Sequence, residues 1–376
     1  MPALSLAATK TLGLNIYFGQ VGTDRLSSYC DSGGFDMVTL AYISASPETD
    51  PATEYPASNF GLHCGAGVYM VNKTASRLLS DCTMLSQDIL YCQRLGKKVL
   101  LSVGGIWGPD AEHNYDVSTP ENGEYFAEFL WKSFGPSYPS WTGPRPFDTL
   151  SANHTVLDGF DFDLEANRSA QDGYVALLKQ LRNYIDEYNL LAPERPIIIT
   201  GSPRCSSVDG GSEMRQLITN NVFDKLWVKF YGNNLCAAGS SDFNYDAWEA
   251  FLASTTSKNG LLYVGLPAEL DVPGYRAAAE VNALIDRLKD RPTFGGVMIN
   301  EAAIAKANAN GGLPLYEAIY EHMLEGAQNP LASAVSSRAR AVTKTEIGTT
   351  SITKTVYATA SVSVPLVNAN STQPDT

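Results

Sequence analysis

The sequence predicts an α/β fold, a closed (β/α)8 TIM barrel, and two patterns carry that prediction. Short β-branched or apolar runs alternate with longer stretches whose apolar residues recur every three or four positions, as in βαβ units. Eight such repeats suit a barrel with added length in its loops. A doubly wound open sheet is the alternative, but the turn at residues 19–23 matches neither Gly-rich nucleotide-binding motif.

Eight apolar runs are the predicted barrel strands. In chain order they lie at residues 14–19, 37–44, 98–103, 159–165, 196–201, 226–231, 261–266 and 295–300. Amphipathic segments between them predict helices, most clearly over residues 174–188 and 275–288, where the apolar side chains fall on one helical face.

The composition predicts three regions along the chain. We expect an N-terminal tail at residues 1–12, the barrel at 13–325 and a Ser/Thr-rich disordered tail or stalk at 326–376. The opening residues are small and apolar but lack a basic region, so they do not match an intact signal peptide. An alternation of Val, Ile and Thr over residues 350–364 leaves strand pairing as the alternative for the tail.

Composition and charge narrow the class of partner. With 44% hydrophobic residues the chain has material for a large core, and 27 basic against 40 acidic residues give a net charge of −13. That charge disfavours nucleic acid and anionic membranes as partners. No run approaches the roughly 20 apolar residues of a membrane span. We therefore expect a soluble monomer with a neutral or cationic substrate.

The cysteine content points to an oxidising compartment. Six cysteines without a Cys-x-x-Cys motif suggest three disulfides, and the spacing alone leaves fifteen connectivities open. Glycosylation sequons at Asn72, Asn153, Asn167 and Asn370 agree with an extracellular or cell-wall-associated glycoprotein.

The most informative stretch is the octet Asp-Gly-Phe-Asp-Phe-Asp-Leu-Glu at residues 158–165. Side chains alternate faces along a strand, so Asp161, Asp163 and Glu165 share one face while the intervening apolar residues share the other. On a barrel strand the apolar face packs under the helices. The acids then point into the lumen and toward the carboxyl-terminal rim, where the active sites of barrel enzymes lie.

Three carboxylates on one inward face cannot all ionise freely, so at least one should hold a proton. We expect that proton on Glu165, the acid nearest the rim, which makes it the candidate general acid. An Asp-x-Asp-x-Glu metal site and a solvated acidic edge are the alternatives. No nearby His or second acidic cluster completes a ligand set, so neither a metal nor a cofactor is expected.

The octet resembles the catalytic signature of family 18 glycoside hydrolases, Asp-Gly-x-Asp-x-Asp-x-Glu. Further segments are similar to strand motifs of the plant and fungal class III, hevamine-like chitinases over roughly residues 13–325. These segments are IYFGQ at 16–20, LSVGG at 101–105, WVKFY at 227–231, GLPA at 265–268 and GGVM at 295–298.

The resemblance implies substrate-assisted, retaining hydrolysis, in which the N-acetyl oxygen of the substrate replaces an enzyme nucleophile. Glu165 would protonate the leaving group and then activate water. Asp163 would hydrogen-bond the acetamido N–H, and Asp161 would share a proton with Asp163. Tyr231 would orient the acetamido carbonyl.

Supporting residues also follow from the resemblance. It implies that the sugar cleft is lined by Tyr17, Gln20, Asn59 and Gly105. Ser102 would hydrogen-bond the acid cluster, and Asp158 would have a structural role at the start of the strand. The implied disulfides are Cys30 with Cys92, Cys64 with Cys82, and Cys205 with Cys236.

Three positions depart from the family pattern. Asn300 stands where the family normally has a tryptophan that forms the floor beneath the reacting sugar. Lys229 replaces the usual Gln, and Arg204 stands where a neutral residue is common. Two added cations near the cleft would change subsite preference or the pKa of the acids.

These observations leave three hypotheses for the function. The first is a chitinase that cuts β-1,4-linked N-acetylglucosamine in chitin or chitooligosaccharides, weakened by Asn300. The second is a catalytically impaired, lectin- or inhibitor-like protein that binds chitin oligosaccharides. The third is an endo-β-N-acetylglucosaminidase, which shares the octet.

Overall fold

The computed structural model describes residues 11–105, 115–148, 154–165, 172–210, 212–309 and 312–326. The predicted Ser/Thr-rich tail lies outside these ranges from residue 327 onward. The first ten residues and the sequons at Asn153, Asn167 and Asn370 also lie outside them.

The described ranges contain eleven strands and nine α-helices. The strands are β1 (Gly13–Phe18), β2 (Met37–Ala45), β3 (Ala57–Ser58), β4 (Val68–Val71), β5 (Thr74–Leu79), β6 (Lys98–Gly104), β7 (Gly159–Asp163), β8 (Ile198–Gly201), β9 (Lys225–Lys229), β10 (Leu261–Pro267) and β11 (Phe294–Asn300). The helices are α1 (Leu26–Ser32), α2 (Thr83–Arg94), α3 (Pro120–Phe134), α4 (Asp172–Leu191), α5 (Glu213–Asn220), α6 (Tyr245–Ala253), α7 (Ala278–Leu288), α8 (Ala302–Ala307) and α9 (Leu315–Gly326).

Eight parallel strands form a closed barrel. They run in the order β1, β11, β10, β9, β8, β7, β6, β2, and β1 also pairs in parallel with β2, which closes the sheet. An open doubly wound sheet would leave two unpaired edges, so the closure confirms the barrel and excludes that alternative. β3 adds antiparallel to β2, while β4 and β5 form a separate hairpin.

All eight predicted barrel strands are present, and the differences lie at their ends. β7 and β9 each end two residues before the predicted boundary, so Glu165 and Tyr231 follow the strands at the carboxyl edge. α7 begins at Ala278 rather than at residue 275, because the Glu280 carboxylate accepts the Ala277 backbone N–H at 3.0 Å. The short strands β3, β4 and β5 were not predicted; they have two, four and six residues.

Two apolar layers hold the barrel together. The larger layer fills the space between the strands and the surrounding helices. A smaller group packs separately, and because its strand residues alternate with those of the outer layer, it fills the lumen; its buried members are Tyr17, Met37, Ala41, Leu100, Trp227, Tyr263 and Met298. The rings of Trp227 and Tyr263 meet edge to face with centroids 4.5 Å apart.

Three disulfides are present, with the pairing that the resemblance implies. Cys30–Cys92 joins α1 to α2, and Cys64–Cys82 ties the segment after β3 to the start of α2. Cys205–Cys236 joins the segment after β8 to the segment after β9, with Cα atoms 5.9 Å apart. Each closure typically stabilises a fold by about 2–4 kcal/mol.

Within the described part of the chain, no helix has the length and apolarity needed to cross a membrane.

Candidate active site

Strand β7 presents the row of acids to the lumen. Asp161 is fully buried and Asp163 is 4% exposed, whereas the Glu165 side chain, just past the strand's end, is 19% exposed. Phe160 and Phe162 point the other way and belong to the layer under the helices. The alternation read from the octet thus gives the observed arrangement: a buried acid, a second buried acid, and a third at the rim.

Asp161, the innermost acid, is held by three hydroxyl groups. Its Oδ2 accepts hydrogen bonds from Tyr17 at 2.6 Å and Ser102 at 2.7 Å, and its Oδ1 accepts one from Thr200 at 2.7 Å. Ser102 and Thr200 lie directly beside Asp161 in the registers of β6 and β8 with β7. Burial raises the pKa of Asp161 even though the three hydrogen bonds oppose the shift.

Lys229 joins the two outer acids. Its Nζ lies 2.5 Å from Asp163 Oδ1 and also donates to Glu165 Oε1. The lysine side chain is only 6% exposed. Burial alone would lower the pKa of Lys229, but the neighbouring carboxylates raise it, so the amine stays charged.

Arg204 engages the remaining oxygen of the outermost acid. Its Nε lies 3.0 Å from Glu165 Oε2, and its Nη2 donates to the same oxygen. The guanidinium side chain is 47% exposed and covers the acid from the solvent side. Each carboxylate oxygen of Glu165 therefore faces a cation, Lys229 on one side and Arg204 on the other.

These contacts distribute protons differently from the sequence-based expectation. Burial raises the pKa of Asp163 to about 6, against the opposing effect of Lys229. Burial would also raise the pKa of Glu165, but Lys229 and Arg204 together outweigh it and lower that pKa to about 2. The expectation that Glu165 holds the proton is wrong for this structure: the raised pKa values belong to Asp161 and Asp163.

Tyr42 approaches the middle acid from β2. Its hydroxyl donates to Asp163 Oδ2 over 3.3 Å. The ring packs against Gly105, where a Cβ atom would lie 2.9 Å from it and where φ is +81°. The Gly105 N–H donates to the Asp163 carbonyl at 2.9 Å. Gly105 therefore provides room for Tyr42 and fixes the backbone of the acid strand.

A polar hollow opens beside the outermost acid. It has a volume of about 490 Å³ and is lined by Glu165, Arg204, Ser206, Lys229, Tyr231, Gly232, Asn233 and Asn234. Burial raises the pKa of Tyr231, so its phenol stays protonated near neutral pH and can donate a hydrogen bond. The structure thus brings Tyr231 together with Glu165.

Two predicted cleft residues have other contacts in the structure. Gln20 donates through Nε2 to the carbonyls of Ala41 at 2.6 Å and Asn59 at 2.9 Å, so its amide joins β2 to the residue that follows β3. Asn59 pairs its backbone with Tyr42 and lines a different hollow, which contains Ser58 but not Glu165.

Asn300 and Asp158 occupy opposite ends of the barrel. Asn300 ends β11 at the carboxyl edge, and its carbonyl accepts the Ala268 N–H at 2.7 Å. Asp158 precedes β7 and accepts hydrogen bonds from the Val99 N–H at 3.0 Å and from Arg195 Nε at 3.1 Å. The Asp158 carboxylate therefore anchors the start of the strand and does not belong to the acid site.

Three residues of the site were not predicted from the sequence: Tyr42, Thr200 and Ser202. The Ser202 hydroxyl is hydrogen-bonded to the Tyr17 hydroxyl, which itself binds Asp161. The sequence feature that could have identified the hydroxyl residues is a Ser or Thr within or just after an apolar strand run, as at Ser102 and Thr200. Such a residue on an inward face needs a partner.

Among the described residues, no three His, Cys, Asp or Glu side chains are arranged to hold a metal ion. Lys229 and Arg204 neutralise much of the charge of the acid row.

A row of carboxylates at the carboxyl edge of a closed (β/α)8 barrel lies where the active sites of barrel enzymes are found. The chain belongs to glycosyl hydrolases family 18, whose family model matches residues 14–321.

Known proteins agree with that assignment. The chain is 34% identical over 348 residues to endochitinase A1 of Aspergillus fumigatus, which covers 89% of this chain and 40% of the relative. The chain thus spans about two fifths of the length of this curated relative.

Solved structures share the fold. A chitinase from Ipomoea carnea superimposes with a TM-score of 0.62 at 24% identity, covering 84% of this chain and 99% of that one. A xylanase and α-amylase inhibitor protein from Scadoxus multiflorus superimposes with a TM-score of 0.58 at 23% identity, covering 83% and 97%. At these identities the likeness establishes the architecture, which is shared by a chitinase and an inhibitor.

Proposed function

We propose that this protein is a chitinase that hydrolyses β-1,4-N-acetylglucosamine linkages with retention of configuration. The observation that carries the proposal is the ordered row of Asp161, Asp163 and Glu165, buried at its inner end and open to a hollow at its outer end. Membership of family 18 and a curated endochitinase relative support the substrate class.

In the proposed reaction, Glu165 protonates the glycosidic oxygen while the acetamido oxygen of the substrate attacks the anomeric carbon. The bond between that carbon and the glycosidic oxygen breaks, and the leaving sugar departs with a free hydroxyl. Asp163 accepts a hydrogen bond from the acetamido N–H and stabilises the cyclic oxazolinium ion. Tyr231 donates a hydrogen bond from its hydroxyl to the acetamido carbonyl oxygen. Glu165 then removes a proton from water, which opens the ring with retention.

Asp161 supports this chemistry from below. Its three hydroxyl partners fix its orientation, and its raised pKa lets it take up a proton beneath Asp163. We propose that this proton limits the charge of the acid row during the reaction.

A catalytically impaired protein that binds chitin oligosaccharides is the second candidate. The pairing of Glu165 with Lys229 and Arg204 favours it, because an ionised glutamate cannot protonate a leaving group. Asn300 favours it too, since an asparagine provides no stacking surface beneath the sugar. An endo-β-N-acetylglucosaminidase is the third candidate, and it differs in cutting N-glycans.

The test of the proposal is hydrolysis of a set of substrates that runs from chitotetraose up to chitohexaose. The products are resolved by mass and anomer for the unaltered protein and for Asn300→Trp. We expect β-anomer products from both, with faster turnover in Asn300→Trp because the added ring stacks on the sugar. Apolar stacking contributes about 1–3 kcal/mol by analogy with buried aromatic area.

Binding without turnover in the unaltered protein, with activity appearing only in Asn300→Trp, would instead establish the carbohydrate-binding candidate. Cleavage of N-glycans but not of chitooligosaccharides would establish the third candidate.

We further propose chitin or chitooligosaccharides as the partner and an extracellular or cell-wall-associated location. The three disulfides support an oxidising compartment. Residues 13–325 would form the catalytic barrel, and residues 326–376 a Ser/Thr-rich tail.

A further inference from the structure

We infer that Lys229 and Arg204 are positioning residues that together hold Glu165 as an anion near neutral pH and confine hydrolysis to acidic solution. The inference rests on the proposed hydrolase function. We refer to Lys229 and Arg204 together as the cation clamp.

The geometry of the clamp stabilises the ionised acid. Lys229 Nζ contacts Glu165 Oε1 and Asp163 Oδ1 at once, while Arg204 contacts Glu165 Oε2 through two nitrogens. Both oxygens of Glu165 therefore accept charge-assisted hydrogen bonds. A protonated carboxyl would have to give up at least one of these bonds, because a hydroxyl hydrogen cannot point at a cation.

The fold fixes both cations in place. The Lys229 N–H donates to the Pro203 carbonyl at 2.8 Å, and the backbones of Arg204 and Lys229 form an isolated parallel bridge. The next residue, Cys205, is disulfide-bonded to Cys236. Arg204 is thus held between a backbone bridge on one side and a covalent cross-link on the other.

Other titratable groups also face the acids in the described ranges. β7 supplies Asp161 and Asp163, β1 and β2 supply tyrosines, and the segments before α3 and after β9 supply two more; these tyrosines are Tyr17, Tyr42, Tyr115 and Tyr231. Burial raises the pKa of Glu165 and so opposes the clamp. Lys229 and Arg204 outweigh burial and lower that pKa to about 2.

The direction of the pH effect follows from the clamp. The reaction needs protonated Glu165, and each pH unit above its pKa reduces the protonated fraction about tenfold. Activity should therefore rise as the pH falls toward about 6, below which the Asp163 carboxylate, with its pKa of about 6, also takes up a proton. Replacing Lys229 with the neutral glutamine that is usual in the family should return the pKa of Glu165 toward its ordinary range near 4.3 or above.

Profiles of kcat/KM against pH on chitohexaose test the clamp in Lys229→Gln, Arg204→Gln and Lys229→Arg. We expect Lys229→Gln to gain about tenfold or more at pH 6 and its optimum to rise by about one pH unit or more. Arg204→Gln should shift in the same direction by less. Lys229→Arg keeps the charge and should retain the acidic profile.

Lys225→Gln is the matched control. Lys225 lies on the same strand, β9, but its Nζ contacts the Tyr263 hydroxyl at 2.9 Å at the other end of the lumen. Its pH profile should follow that of the unaltered protein. Identical profiles for Lys229→Gln and the unaltered protein would overturn the clamp.

A ¹³C NMR titration of the Glu165 carboxyl, assigned by its loss in Glu165→Gln, separates the clamp from the proposed function. Ionised Glu165 at pH 4 in the unaltered protein, with protonation at higher pH in Lys229→Gln or Arg204→Gln, supports the clamp even without hydrolysis. In that case only the hydrolase proposal fails. Titration of Glu165 at one pH in all these proteins refutes the clamp, whether or not they hydrolyse chitohexaose.

Discussion

At the scale of single residues, hydroxyl groups and cations act on different members of the acid row. Asp161 is buried among hydroxyls and has a raised pKa, whereas Glu165 lies between two cations and has a lowered one. The same strand therefore holds carboxyl groups that prefer opposite protonation states. Environment, rather than residue type, sets which acid holds the proton.

Removing the phenol oxygen in Tyr17→Phe should destabilise the protein by about 1–3 kcal/mol, because a buried carboxylate loses a donor at 2.6 Å. Chemical denaturation at pH 7 measures the change. Tyr245→Phe is the matched control, since the hydroxyl of that buried tyrosine lies 3.3 Å from the Thr293 hydroxyl outside the lumen. Equal losses in the two variants would contradict a specific role for the Tyr17 hydroxyl.

At the scale of elements, the alternation within a strand was the most reliable guide. The alternation predicts that Asp161 and Asp163 point inward and Phe160 outward. It needs no knowledge of tertiary contacts, because the period of two is a property of one strand alone. Contacts across the lumen were harder to predict from the sequence. Lys229 lies on β9, two strands away from β7 in the barrel, and its reach to the acids depends on barrel curvature and side-chain length.

Short strands and the hydrogen bonds near strand ends also could not be predicted from the sequence. β3 has two residues and makes two pairs with β2, too few for a periodic pattern. The amide of Gln20, a residue predicted to line the cleft, donates to one carbonyl within β2 and to another just after β3. Such bonds follow from three-dimensional proximity of segments that are distant in sequence.

At the scale of the whole molecule, barrel closure gathers the acid row, the clamp and Tyr231 at one edge. The eight strands and the three disulfide pairs were predictable, the former from periodicity and the latter from the family resemblance. The charge balance of the site was not, since it depends on how Arg204 and Lys229 converge on Glu165.

Stability should fall as the pH rises from about 4.5 to 7, in part because of Glu301. Burial raises the pKa of Glu301 to about 7, against a reference value of 4.5, so the folded state binds more protons than the unfolded state within that window. Thermal unfolding between pH 4 and 8 measures the trend. Glu301→Gln keeps an oxygen that can accept the Ala303 N–H, which Glu301 now accepts at 3.0 Å.

The Glu301→Gln variant should therefore lose part of the decline in stability while its helix α8 stays capped. An unchanged slope in this variant would show that Glu301 does not titrate within the window.

We propose Glu165 as the acid of a retaining chitinase, and chitohexaose hydrolysis by the unaltered protein and by Glu165→Gln, compared from pH 3 to 7, tests that role. We expect β-anomer products from the unaltered protein. Glu165→Gln should lose at least about 100-fold in kcat while still binding the oligosaccharide. Full activity in Glu165→Gln would contradict the assignment of the acid.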